Sequence, residues 1–370
     1  MKKLKIGFVG VGCISGIYLK NIQNTFDNIE IAGICDLEPE KCTAAAEKFN
    51  IPKIYGDMYE LFADPEVDIV LNITRPYEHY EVTKAALLAG KHVYSEKPLS
   101  PDLNEARELY ALAKEKGLYL GGAPDTFLGA GIQTVKKLIE DGYIGRVIGG
   151  RAHMASRGPE NWHPDPEFVY QYGGGPMFDM GPYYVTAFIN LMGRVTEVCG
   201  MTSRSFERRP ITSEKKYGKI MDVEVPTYVE GIMRFESGAI AQLFTTFDIC
   251  TKSGILFEIY GTEGSIRVPD PNTFGEPGVQ LLRLGAEKYE NIPLVRNYSG
   301  NSRALGLAEM AECIVDGTLH RANSAQQLHV VEIMSAFYRS SDEHRFVKIE
   351  SDYEPGKPMS FYEVTGKTYV

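Results

Sequence analysis

The sequence predicts two folds in series. The first is an α/β unit built on a doubly wound parallel sheet, and the second an α+β unit built on a large, mostly antiparallel sheet. Three observations predict this. Short, continuously apolar runs alternate with helical patterns through the first third of the chain, as in a parallel sheet covered on both faces. A glycine loop, Gly10-Val11-Gly12-Cys13-Ile14-Ser15, stands between the first strand and the first helix. Later, strand-like runs follow one another across the turn signals Glu236-Ser237-Gly238 and Thr262-Glu263-Gly264.

In chain order, Lys5–Val9 is the first strand, and a helix is expected from about Ser15 to Phe26. Strands at Glu30–Cys35, Val67–Asn72, His92–Tyr94 and Leu118–Gly121 alternate with helices at Pro39–Phe49, Met58–Ala63, Tyr77–Ala89 and Asp102–Lys116. The connections should be right-handed crossovers. Leu128–Asp141 and Met177–Met192 read as helices, with a strand at Arg146–Ser156 between them. Strands are expected at Val195–Thr202, Val223–Phe235, Ala239–Phe247, Ile255–Tyr260, Ser265–Val268 and Val279–Leu284, and late helices at Leu305–Asp316 and Ser324–Ser340. The expected division is residues 1–123 for the first domain, 124–350 for the second and 351–370 for a tail.

Composition narrows the function. A chain of 370 residues with 44% hydrophobic content has room for two or three domains with large cores. A net charge of −10 argues against nucleic acid and anionic membrane as partners. The six cysteines are scattered, and with the seven histidines they form no ligand-spaced cluster, so no metal is expected. Lone thiols suit a reducing compartment. The lysines and apolar run of Met1–Ile14 read as a strand and turn rather than a signal peptide, and no run is long enough to span a bilayer. The expectation is a soluble cytoplasmic protein.

The glycine loop suits a dinucleotide. Gly10 permits a tight turn, Gly12 lets backbone N–H groups approach a pyrophosphate, and Ser15, in place of the usual third glycine or alanine, is small enough for close packing. Asp36 ends the second strand, where its carboxylate can accept hydrogen bonds from the ribose diol of NAD; with Glu38 nearby it disfavours the 2′-phosphate of NADP. The alternative for Asp36 is a helix N-cap. Lys97, in Glu96-Lys97-Pro98, leaves the fourth strand at its carboxyl end with its direction restrained by Pro98. The alternative is a surface lysine. Oxidising a secondary alcohol needs a proton acceptor and positive charge near the developing alkoxide. Lys97 can supply the charge, and Tyr183 can relay the proton. Asp179 stands four residues earlier, on the same face of the helix, where it can orient Lys97 or bind a substrate hydroxyl; the alternatives are a helix N-cap after Gly173-Gly174-Gly175 for Asp179 and a core aromatic for Tyr183. Tyr184 competes with Tyr183 for the pocket-facing role. Asn161-Trp162-His163-Pro164-Asp165-Pro166 holds the only tryptophan; Trp162 can pack on a sugar ring, and His163 is a second acid–base candidate. His153 reads as structural.

The elements Gly10-x-Gly12, Asp36, Asn72-Ile73-Thr74-Arg75-Pro76 to His79, Gly90-Lys91-His92-Val93, Glu96-Lys97-Pro98-Leu99 and Gly174-Gly175-x-x-x-Asp179-x-Gly181-x-Tyr183 occur in order. In this the chain resembles, over nearly its whole length, the glucose–fructose oxidoreductase, inositol dehydrogenase and rhizopine catabolism (Gfo/Idh/MocA) family. The resemblance implies a Rossmann domain and an α/β domain whose open sheet serves oligomerisation, hence a homodimer or homotetramer. It implies NAD(P)-dependent redox chemistry on a sugar or polyol. It assigns Gly10, Gly12, Cys13 and Ile14 to the pyrophosphate and Asp36 to the adenosine ribose. Thr74, Pro76 and His79 would line the dinucleotide cleft, Glu96 would meet the nicotinamide ribose, and Lys97 that ribose and the substrate hydroxyl. Asp125 takes a position near the cleft. Many relatives carry a histidine where this chain has Tyr183, so Tyr183 or Lys97 must handle the proton. Two alternatives within the resemblance are an NAD-dependent glycosidase-like member acting through transient oxidation and a non-catalytic NAD-binding sensor.

Overall fold

A computed structural model describes residues 3–251 and 256–359. They form two compact units, residues 3–128 with 300–328 and 359, and residues 129–299 with 329–358.

The first unit is a five-stranded sheet of β1 (Leu4–Val9), β2 (Ile29–Cys35), β3 (Ile69–Asn72), β4 (His92–Ser95) and β5 (Leu120–Gly122). Every pairing is parallel, in the order β2-β1-β3-β4-β5. All four residues of β3 are buried, as strands covered on both faces require. The strands alternate with α1 (Ser15–Asn24), α2 (Pro39–Phe49), α3 (Met58–Ala63), α4 (His79–Leu88) and α5 (Leu103–Lys116). Local chemistry sets their ends. Pro39 opens α2, and Asp102 caps α5 by accepting the N–H groups of Asn104 and Glu105. The strand order reverses between β1 and β3. Ligands of open α/β sheets bind outside the carboxyl ends of the strands at such a reversal.

The second unit begins with α6 (Ala130–Glu140), β6 (Val147–Ala155), α7 (Gly175–Asp179) and α8 (Gly181–Met192). Then come β7 (Val195–Ser203), β8 (Arg208–Pro210), β9 (Ile220–Asp222), β10 (Tyr228–Phe235), β11 (Ile240–Thr246), β12 (Leu256–Gly261), β13 (Gly264–Arg267), β14 (Val279–Arg283), β15 (Glu290–Ile292) and β16 (Val347–Lys348). Nine of these strands form one sheet, β15-β14-β13-β12-β6-β11-β10-β7-β16, antiparallel except for the β6–β11 pair. In β10 the buried Val229, Met233 and Phe235 alternate with outward Glu230, Ile232 and Arg234. Phe188 of α8 packs on Phe257 and Phe235 of the sheet, with ring centroids 4.6 and 6.4 Å away. β8 and β9 form a separate two-stranded ribbon that the apolar pattern did not predict. Residues 223–227 precede β10 rather than belonging to it. Of the strand expected at Ile255–Tyr260, Ile255 lies outside the described residues, as do residues 360–370 of the expected tail.

The linear division gave residues 300–328 to the second domain, but their hydrogen bonds join them to the first unit. They contain α9 (Leu305–Asp316) and the start of α10 (Ser324–Glu343). The Asn21 amide donates to the carbonyls of Asn301 and Arg303, and Asn28 to that of Ala308. The Gly122 N–H donates to the Ala322 carbonyl, and the Gln327 amide to that of Gly122.

Candidate active site

The glycine loop lies at the carboxyl end of β1. Gly10 has φ +101°, and a Cβ there would lie 2.8 Å from the Ile73 carbonyl oxygen, so only glycine fits. A Cβ on Gly12 would meet nothing within 4 Å, which leaves the loop's outer side open. The first turn of α1 carries no acidic side chain, and its N-cap residue, Ile14, makes no side-chain cap. The Ser15 N–H donates to the Gly12 carbonyl at 3.1 Å, and no side chain competes for the remaining first-turn N–H groups, which suit an anion. Ser15 turns inward and donates its hydroxyl to the Gly12 carbonyl at 2.7 Å. These residues fit a dinucleotide pyrophosphate.

Asp36 does not cap α2, whose N-cap residue is Glu38. Its carboxylate accepts the N–H of Val11 at 2.6 Å and that of Glu38 at 2.9 Å. It thus fixes the glycine loop against the end of β2 and keeps lone pairs for a ribose diol. After β3, the Thr74 hydroxyl donates to Asn72 Oδ1 at 2.7 Å, and Pro76 opens a 3-10 turn. His79 is only 1% exposed. Its Nδ1 lies 2.7 Å from the Pro98 carbonyl and its Nε2 3.2 Å from the Thr74 carbonyl. Burial lowers its pKa. A neutral ring donates from only one nitrogen, so His79 bonds one of these two carbonyls, and it is buried rather than offering a ring edge to solvent.

Lys97 follows β4, and its N–H donates to Glu96 Oε2 at 3.0 Å. Glu96 Oε1 accepts the Tyr18 hydroxyl at 2.7 Å. Tyr18 is fully buried on α1, and burial raises its pKa well above normal. It was not legible as a site residue, because a tyrosine on an apolar helix face looks like any core aromatic. Asp125 is 1% exposed and accepts the Gly306 N–H at 3.1 Å. Burial pushes its carboxyl up to about 6.

In the second unit, the helix expected over Met177–Met192 is broken at Met180. Pro182 has no N–H to continue the ladder, and the chain restarts as α8. Asp179 is thus the last residue of α7 and Tyr183 lies in the first turn of α8, so the two do not share one continuous helical face. Asp179 is not a helix N-cap either, since the N-cap of α7 is Gly174 and that of α8 is Met180. The two tyrosines are distinct. Tyr184 is fully buried against Phe257, and its hydroxyl has no hydrogen-bond partner among the described residues. Tyr183 is 8% exposed.

Trp162 is 68% exposed and packs edge-on against His163. His163 Nδ1 accepts the Asp165 N–H at 3.0 Å, so the neutral ring carries its proton on Nε2. Burial lowers its pKa against the opposing carboxylates of Asp165 and Asp179. Among the described residues, no group of His, Cys, Asp and Glu could hold a metal, and no helix is long and apolar enough to cross a membrane.

Two family descriptions match the chain, "Oxidoreductase family, NAD-binding Rossmann fold" over residues 4–122 and "GFO/IDH/MocA C-terminal domain" over residues 132–267. The 1,5-anhydro-D-fructose reductase of Ensifer adhaerens is 32% identical over 270 residues, 72% of this chain and 75% of that protein. The levoglucosan dehydrogenase of Pseudarthrobacter phenanthrenivorans is 28% identical over 250 residues, 63% of each. A solved levoglucosan dehydrogenase in complex with NADH and L-sorbose has the same fold, with TM-score 0.82 and 22% identity over 95% of this chain and 100% of that one. With an open glycine loop at the strand-order reversal and both domains matched, the chain belongs to the Gfo/Idh/MocA family of oxidoreductases.

Proposed function

We propose that the protein is an NAD-dependent dehydrogenase or reductase acting on a secondary alcohol or ketone of a sugar or polyol. The observation that carries this is Lys97. It leaves the parallel sheet at the carboxyl end of β4, with its backbone held by Glu96 and Glu96 in turn held by Tyr18. NAD, when bound, supplies the hydride acceptor. The chain supplies the rest. The Lys97 ammonium stabilises the developing alkoxide, Tyr183 passes on the hydroxyl proton, and Asp179 and His163 orient the sugar hydroxyls. Trp162 offers a face for the ring of the substrate. Asp36 and Glu38 favour NAD over NADP by charge repulsion. The outward Met201, Ile232 and Ile240 of the nine-stranded sheet support a homodimer or homotetramer, which light scattering would check.

The test is Lys97→Met on a panel of levoglucosan, myo-inositol, D-xylose and 1,5-anhydro-D-fructose with NAD(H) and NADP(H). Turnover should fall by about 10²–10⁴-fold while NAD affinity changes by less than about threefold. Full turnover in the variant would sink the assignment of Lys97. Sugar release without net NADH would favour the glycosidase-like alternative. NAD binding with no turnover on any sugar would favour a sensor.

A further inference from the structure

We infer that Arg209 is a positioning residue for the sugar: buried where the β8–β9 ribbon meets the Trp162–His163 loop, it holds that loop in the geometry that meets substrate. The inference rests on the reading above that this loop faces the sugar.

Neither piece is stable alone. The ribbon pairs only three residues with three, Arg208–Pro210 with Ile220–Asp222, too little for an independent sheet. The loop has little backbone bonding of its own near its tip; there the Pro159 carbonyl accepts the N–H groups of Trp162 and His163. Arg209 links both. It is 1% exposed. Its Nη1 lies 2.9 Å from Glu160 Oε1 and donates to the Arg157 carbonyl at 3.0 Å and to the Tyr170 hydroxyl at 2.5 Å. The Tyr170 hydroxyl passes the chain on to Glu160 Oε2 at 2.6 Å. Nη2 donates to the Phe247 carbonyl at 2.7 Å and lies 3.3 Å from Asp248 Oδ1. Asp248 also accepts the Thr227 hydroxyl, so the node reaches the ends of β10 and β11.

A guanidinium suits this work because its planar fork offers several fixed donors at once; an ammonium cannot satisfy the same spread of partners. Gly158 completes the node. It has φ +98°, and a Cβ there would lie 2.1 Å from the Tyr170 hydroxyl and 2.7 Å from Arg209 Nη1. The ribbon turn adds outer contacts. The N–H groups of Thr212 and Ser213 donate to the Glu160 carbonyl. Lys215 and Lys216 pair with Asp165, and Lys216 and Lys219 with Glu167. Glu160 precedes the tip that carries Trp162 and His163, and Asp165 and Glu167 follow it. The ribbon therefore grips the loop on both sides of its tip, with one buried arginine at the root.

Trp162, the only tryptophan, reports directly on the loop. In Arg209→Met, the emission anisotropy of Trp162 should fall, whereas acrylamide quenching, already high because Trp162 is 68% exposed, should rise only slightly. The KM of whichever panel sugar turns over should rise about tenfold or more, with kcat and NAD affinity within about threefold of wild type. Arg209→Lys should restore only part of this. The double variant Lys215→Met/Lys216→Met removes exposed pairs and leaves the buried node intact. It should give a smaller change in the same direction, and it carries the test if Arg209→Met does not fold. Unchanged Trp162 anisotropy in either folded variant overturns the inference, as does a loosened Trp162 with unchanged KM. By contrast, Trp162→Ala with an unchanged KM overturns the reading that the loop faces the sugar, whatever the state of the node.

Discussion

Asp125→Asn isolates one buried ionisation in the first unit. The Asp125 carboxyl titrates near 6 because burial penalises its charge, against 3.8 when free. The folded chain therefore holds this proton more tightly than the unfolded chain. Between about pH 4 and pH 6 the folded state is protonated and the unfolded state is not, so stability falls as pH rises through that window. A separation of about two units corresponds to about 3 kcal/mol. Asparagine keeps the shape and an acceptor for the Gly306 N–H but carries no charge. At pH 4 the variant and wild type should be about equally stable. By pH 7 the variant should be more stable by up to about 3 kcal/mol. Urea unfolding followed by circular dichroism across pH 4 to 7 measures the difference. Parallel pH profiles for the two proteins would refute the reasoning, since they would mean that Asp125 contributes no linked proton.

Three further substitutions test the assignments in each unit. Gly10→Ala places a methyl 2.8 Å from the Ile73 carbonyl at a positive φ; it should cost about 1–3 kcal/mol and weaken NAD binding by calorimetry, and wild-type affinity would count against the glycine loop as the pyrophosphate site. Tyr183→Phe should lower kcat by about 10²–10⁴-fold, whereas Tyr184→Phe, which deletes a buried hydroxyl without a partner among the described residues, should leave kcat intact and stability within about 1 kcal/mol; the reverse ranking would exchange the two roles.

The first unit was readable because its signals are local. Each of its strands is a short apolar run, and the turn at Gly10 needs a residue that tolerates positive φ. The larger sheet was readable wherever buried and outward residues alternate, as in β10. Three features resisted. The break between α7 and α8 hides in a sequence whose apolar spacing runs straight through it, and only Pro182 marks it. The β8–β9 ribbon carries Arg208-Arg209-Pro210, a poor strand by pattern, because its stability comes from the partners of Arg209 rather than from an apolar face. The support of Glu96 by Tyr18 joins residues 78 positions apart. Local pattern carries no trace of such a pairing.

The return of residues 300–328 to the first unit has a consequence for how the protein is made. All five parallel strands have been synthesised once residue 128 is complete, yet the Asn28–Ala308 hydrogen bond spans 280 positions. At about 5–20 residues per second, the closing segment follows roughly 10–40 s later. Until then the nascent nucleotide-binding half leaves Asn21, Asn28 and Asp125 without the partners they have in the finished protein. Chain termination or proteolysis before residue 300 would strand it in that state. For the same reason the dinucleotide-binding half cannot be cut from the gene as one contiguous fragment: an excised version needs a linker that carries residues 300–328 back to α1 and β5.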